Sequence, residues 1–247
     1  MLAKYSVFQK NLLILIKYDP MNMNRFPHVL VLIFFSAGLL VLAIWSFLTI
    51  DSFPGHRQLN SWLVDRLVVI KPLPYDFIYS KPHLKRVIYV LDGTPGDLRW
   101  RFKTAASLYQ NNVSRRIFIL KDPGITEYDP QLGRNLRIDE WAIKKLGEFG
   151  VKKEDIEPLF LECGFFGTLR EARTVSQEAS SRGYDGLVLV SSPYHTKRVY
   201  ESFSKYLAGK GVNIFVYASE DQTNLIGLVK EYFKLVFYQM VLLLKVS

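Results

Sequence analysis

Between residues 86 and 220, short unbroken apolar runs take turns with longer amphipathic stretches, and no other feature restricts the fold of this chain so much. VIYVL (87–91), IFIL (117–120), PLFLE (158–162), GLVLVS (186–191) and NIFVYA (213–218) read as strands. LRWRFKTAASLYQ (98–110), IDEWAIKKLGEF (138–149), TLREARTVSQEASS (168–181) and HTKRVYESFSKYL (195–207) read as helices. The strand runs do not alternate with polar residues, as expected for strands covered on both faces. Strand–helix repetition implies a parallel sheet with helices on each side, and the right-handed crossover rule makes that sheet doubly wound.

A second feature precedes this region. Residues 28–50, HVLVLIFFSAGLLVLAIWSFLTI, contain no formally charged side chain. At about 1.5 Å per residue they are long enough for a hydrocarbon core of roughly 30 Å. A buried core helix of this length would show a polar stripe, and a signal peptide a shorter apolar stretch. The run therefore reads as a single transmembrane helix. Lys4, Lys10, Lys17 and Arg25 precede it, opposed only by Asp19. The positive-inside rule places the N-terminus in the cytoplasm and the α/β part outside. The expected organisation is a basic cytoplasmic segment (1–27), the membrane helix (28–50), a proline-broken connector (51–85) with one short helix near 59–69, and the α/β domain (86–247). Residues 225–247 read as a last helix packed on the sheet or as a helix along a membrane face. Lys230, Glu231 and Lys234 argue against a second span.

The net charge of +9 favours anionic partners. The basic residues are scattered without a nucleic-acid-binding signature, so nucleic acid is not an expected partner. A single cysteine, Cys163, excludes an intrachain disulfide. The chain carries no G-x-x-x-x-G-K-[ST] loop, no G-x-G-x-x-G turn and no G-x-S-x-G elbow. Histidine and cysteine are too few for a structural zinc site, and no metal ligand is assigned. The cofactor is left unknown, with a carboxylate-held divalent metal such as magnesium open.

Ligands of open parallel sheets bind beyond the carboxyl ends of the strands. The first strand is followed by Asp92, Gly93 and Thr94, leading to Arg99 on the next helix. Asp122 follows the second strand, and Glu140 starts the next helix. The third strand ends at Glu162, and Thr168 and Glu171 open the helix after it. The fourth ends at Ser191 and Ser192, ahead of Tyr194, His195 and Arg198. His195 and Arg198, three apart, share a helix face. Arginine suits a phosphate fork, and histidine exchanges protons near neutral pH. Ser192 and Pro193 also suit a helix cap and its first position.

Residues 162–198 resemble the bacterial SanA/ElyC/YdcF-like domain family. The matching positions are Glu162, Thr168, Glu171 with Ala172, Ser191 with Ser192, and above all Tyr194, His195 and Arg198. Asp139 to Ala142 resembles the family's Ser-Glu-Ala helix start, and Arg99 its first helix; the likeness covers about residues 86–220. The turn Asp92-Gly93-Thr94-Pro95-Gly96, the turn Lys121-Asp122-Pro123-Gly124 and Glu171 depart from the family pattern. The resemblance implies a three-layer, Rossmann-like α/β sandwich preceded by one membrane helix, in the cytoplasmic (inner) membrane of a cell envelope. It implies a link to peptidoglycan and lipid-carrier metabolism. The expected ligand is an anionic small molecule or a lipid-linked phosphate, hydrolysed or transferred. His195, Glu162 and Asp92 would carry catalysis. Arg198 and Arg99 would hold phosphate oxygens. The alternative is a binding module for a nucleotide-like or S-adenosylmethionine-like ligand, with Asp122 or Glu140 on a ribose or amino group.

Overall fold

The computed structural model describes residues 26–49, 54–74, 85–121, 124–161 and 167–244. The basic N-terminal segment, Asp122, Glu162 and Cys163 lie outside these. The chain divides into two compact units, 1–56 and 57–247.

In the first unit, α1 (Phe26–Thr49) is a continuous helix of 24 residues with no charged side chain. Phe34, Phe35 and Leu39 to Leu42 on it are more than half exposed. Among the fully described residues no helix is long and apolar enough to cross a membrane. The side chains of α1 are described only at 34–43, 46 and 49.

The second unit begins within α2 (His56–Leu67), at residue 57. It continues as β1 (Arg86–Val90), α3 (Pro95–Gln110), β2 (Ile117–Leu120), β3 (Ile125–Asp129), β4 (Arg134–Arg137) and α4 (Ile138–Glu148). Then come β5 (Ile156–Leu159), α5 (Gly167–Ser181), β6 (Gly186–Ser191), a single 3-10 turn at Pro193–His195, α6 (Thr196–Leu207), β7 (Asn213–Ala218) and α7 (Leu225–Leu244). Five strands form one parallel sheet in the order β5-β2-β1-β6-β7, and β3 and β4 form a separate antiparallel hairpin. The α/β class expected from the sequence is therefore present. The hairpin was not expected; its strands are short, and ITEYD and RNLR carry no apolar run.

The continuous apolar strands are explained by burial on both faces. On β1, Ile88 and Val90 point into one core with Leu98, Phe102 and Ala105 of α3 and Trp141 and Leu146 of α4. Val87, Tyr89 and Leu91 point into the other, with Ala172 and Val175 of α5 and Val199 and Phe203 of α6. Val188 and Val190 against Leu187 and Leu189 repeat this on β6. Each face thus removes a full row of β-branched and aromatic side chains from water.

The connector is partly built into this unit. Leu63, Leu67 and Leu73 are buried. Lys71 bridges to Val216 of β7 through two backbone hydrogen bonds of 3.1 and 2.8 Å. α7 does not lie on the sheet. It covers α6 and the 193–195 turn, and Tyr232 meets Trp62 of α2 with ring centroids 5.1 Å apart.

Candidate functional site

β2 and β5 continue the sheet on one side of β1, and β6 and β7 on the other. The winding direction therefore switches between β1 and β6, and their carboxyl ends diverge into a crevice. A cleft occupies this point. Its larger lobe, of about 610 Å³, is lined by the 92–94 turn, Asp97, Arg101, Thr168, Glu171, His195 and Arg198, with Glu231, Lys234, Phe237 and Tyr238 of α7. A smaller lobe of about 200 Å³ adds Ser192, Tyr194, Asp221 to Thr223 and Lys230. Asp97, Arg101, His195, Glu231 and Lys234 border both.

Arg101 ties the two strand ends together. Its Nη1 donates to the carbonyls of Leu91 (3.0 Å) and Asp92, and its Nη2 to Ser192 Oγ at 2.6 Å. It is 3% exposed. Burial lowers its pKa, against the pull of Asp221, Asp97, Glu171 and Asp92. Gly93 is needed here, since a Cβ on it would sit 2.8 Å from Arg101 Nη1.

Glu171 is buried behind the first turn. Its Oε2 accepts from the Tyr89 hydroxyl at 2.7 Å and from the Asp92 amide at 3.1 Å. Burial pushes its carboxyl above the usual range, and burial together with the Glu171 charge pushes the Tyr89 phenol well above its own. Asp92 accepts from the amide of Gly93 at 2.8 Å. Thr94 caps α3 and bonds Asp97 through its hydroxyl at 2.7 Å.

Thr168 joins the two residues that the sequence pairs most strongly. Its Oγ1 accepts from Arg198 Nη1 at 2.7 Å and lies 3.3 Å from His195 Nε2. Arg198 Nη2 donates to Glu231 Oε2 at 2.9 Å, and its guanidinium stands 4.8 Å from the centre of the Tyr238 ring. Lys234 donates to the other oxygen of Glu231 at 2.7 Å. Enclosure holds the His195 pKa well below the ordinary imidazole value, and Arg198, Arg101 and Lys234 lower it further. At neutral pH the ring is uncharged, in a field that repels a proton.

Asp92, Gly93, Thr94, Thr168, Glu171, Ser192, Tyr194, His195 and Arg198 thus line one cleft. Ser191 is fully buried beneath it, and its carbonyl accepts from the Ser219 amide and hydroxyl. Two expected residues point elsewhere. Arg99 pairs with Glu127 of the hairpin at 3.5 Å and faces Trp141. Glu140 is engaged by both Arg134 nitrogens at 2.8 and 2.9 Å and by the Arg137 amide, which lowers its pKa to about 2. Both are occupied with holding the β3–β4 hairpin and the start of α4.

Sequence reasoning missed Arg101, and the signal was available. Positions 98, 101, 102 and 105 lie on one helix face, so an arginine at 101 interrupts the apolar stripe of Leu98, Phe102 and Ala105. Arg99 lies off that stripe. Lys234, Glu231 and Tyr238 gave no such signal, because nothing local to α7 says that it closes the cleft. Among the described residues no group of three or more His, Cys, Asp or Glu side chains is placed to hold a metal ion.

No family model matches the chain, and no curated protein matches it. Among solved structures it is similar to the universal stress protein from Archaeoglobus fulgidus, at 13% identity and a TM-score of 0.34, over 56% of this chain and 98% of that one. The structure of the universal stress protein from the same organism in complex with dAMP matches at 12% identity and a TM-score of 0.33, over 53% and 96% of the two chains.

Proposed function

We propose that this chain is a SanA/ElyC/YdcF-like envelope protein whose cleft binds the phosphate or pyrophosphate of a polyprenyl-linked intermediate and hydrolyses or transfers that group. One observation carries the reading: at the switch point of the sheet His195 Nε2 lies 3.3 Å from Thr168 Oγ1, which Arg198 Nη1 also reaches at 2.7 Å, with Lys234 lining the same cleft. Arg198 and Lys234, which line the cleft beside His195, would offset the charge of a bound phosphate. In hydrolysis, a water oxygen bonds to phosphorus, the phosphoester or pyrophosphate P–O bond breaks, and the proton that the His195 imidazole takes from the water is passed to the departing oxygen. Lys234, the Thr168 hydroxyl and the turn at 92–94 would orient the phosphoryl oxygens. In this reading α1 is a single membrane span of about 36 Å at 1.5 Å per residue, in the cytoplasmic membrane with its N-terminus inside. Its uncharged 24 residues and the lysines before it support that placement.

The test is phosphate release by the full chain in detergent from polyprenyl phosphates, polyprenyl pyrophosphates and nucleotides, with and without magnesium, beside His195→Ala. Turnover that disappears in the variant is the expected result. Turnover that survives in a folded His195→Ala protein rejects the role of the histidine.

A second reading is supported by the commitments of the two arginines. Arg101 is spent on two carbonyls and Ser192, and Arg198 on Thr168 and Glu231. A cleft whose forks are already occupied suits a non-catalytic module for a nucleotide-like or S-adenosylmethionine-like ligand. Its mark is a rise in Tm with ligand and no turnover.

A further inference from the structure

The C-terminal helix α7 buries Leu225, Leu228 and Leu235 against the rest of its unit and also carries apolar side chains on its outer face. Two of its polar side chains turn inward as well: Glu231 accepts from Arg198 at 2.9 Å, and Gln239 donates to Glu201 at 3.0 Å. Its outer face carries Phe233, Phe237, Met240, Leu243 and Leu244, which are 68, 47, 55, 73 and 74% exposed. Positions 233, 237, 240 and 244 recur every three or four residues and form one stripe. At the upstream end of this stripe Lys230 and Lys234 are also exposed. Phe237 and Lys234 line the larger lobe of the cleft, so the stripe runs to the cleft's mouth.

We infer that this face of α7 lies in the interface of an anionic lipid bilayer, with Lys230 and Lys234 among the headgroups and the five apolar side chains at the acyl boundary. Apolar surface of this extent is stabilised by leaving water at about 25 cal/mol per Å². A helix with lysines beside an exposed aromatic and aliphatic stripe has the composition of an interfacial helix. The net positive charge that remains outside residues 1–27 adds attraction to anionic lipid. A second copy of the chain is the other candidate occupant. A stable protein interface recruits roughly 20–30 residues a side, however, and one helix stripe supplies far fewer. The inference does not depend on any step of the phosphate chemistry. It places the cleft's mouth at a surface where a membrane-borne headgroup can reach it.

The test uses the full chain reconstituted in phosphatidylcholine vesicles with and without phosphatidylglycerol. Cys163→Ser is combined in turn with Met240→Cys, Leu244→Cys or, as a control, Lys153→Cys, and each is labelled with an environment-sensitive fluorophore. Lys153 is exposed in the turn before β5, at the amino edge of the sheet and away from the cleft. The expected result is a blue shift and a several-fold quenching by an acyl-chain nitroxide at 240 and 244, with neither at 153. Lys230→Glu with Lys234→Glu should weaken the quenching when phosphatidylglycerol is present. Labels at 240 and 244 that stay in water overturn the inference. So does self-quenching that grows with protein density without lipid quenching, which identifies a second copy as the occupant. Phosphate release is measured separately in detergent, so either proposal can fail alone.

Discussion

Arg101 Nη2 donates to Ser192 Oγ at 2.6 Å and so joins the helix that follows β1 to the turn that follows β6. The two segments are 91 residues apart in the chain and meet because β1 and β6 are neighbours in the sheet. Arg101 Nη1 reaches two carbonyls on the β1 side. The guanidinium is thus the floor of the cleft, and its buried charge must be satisfied by those acceptors for the site to keep its shape.

Gly93→Ala should destabilise the folded protein by about 1–3 kcal/mol, because the new methyl meets a guanidinium that three hydrogen bonds hold in place. In an Arg101→Ala background most of that cost should vanish. A double-mutant cycle by urea denaturation checks this. Equal cost in both backgrounds would show that the glycine is there for some other reason.

His195 should titrate below 6.5 in the free protein and closer to it when inorganic phosphate is bound. Burial and three cations depress the pKa, and an added anion offsets the cations. NMR of the imidazole, assigned with His195→Gln, is the measurement. The folded state binds fewer protons than the unfolded one over this range, so the histidine also makes stability fall as the pH drops below 6.5. An imidazole that titrates normally and ignores phosphate would remove the basis of the proposed function.

Glu140 has its folded pKa lowered to about 2 from 4.5, chiefly by Arg134. The depressed value means that its contribution is fully present above 4.5 and is lost as the pH falls towards 2. Glu140→Gln should flatten the acid limb of the stability profile and leave ligand binding in the cleft unchanged. Loss of binding in a folded Glu140→Gln protein would return this residue to the site.

Leu63→Ala and Leu67→Ala should each cost about 2–5 kcal/mol, since both side chains are buried although they lie in the connector. Ile70→Ala, at a position 59% exposed, should stay within about 0.5 kcal/mol. Thermal unfolding of the three variants decides the matter. If all are neutral, residues 57–74 are a tether and not part of the folded unit.

Much of the architecture was legible in the chain because its signals are local. The unbroken apolar runs at 117–120, 186–191 and 213–218 coincide with β2, β6 and β7, since strands buried on both faces need apolar side chains at every position. Arg101, Arg198 and Glu171 each interrupt a helix's apolar stripe, and that interruption is a local mark of a buried polar site. The β3–β4 hairpin left no such mark, because neither face of ITEYD or RNLR is fully buried.

By itself the sequence determined the class of fold, the uncharged run of α1, and the edge of the sheet at which Asp92, Ser192, His195 and Arg198 would appear. Tertiary structure decided which of these residues meet. The order β5-β2-β1-β6-β7 sets the ends of β1 and β6 side by side, so Arg101 of α3 reaches Ser192 beyond β6. It also let α7 close over the cleft with Glu231 and Lys234 turned towards it and an apolar stripe turned out. Periodicity records which face of an element is buried. Which element buries it is settled by strand neighbours and crossovers far apart in the chain, and no local pattern carries that information.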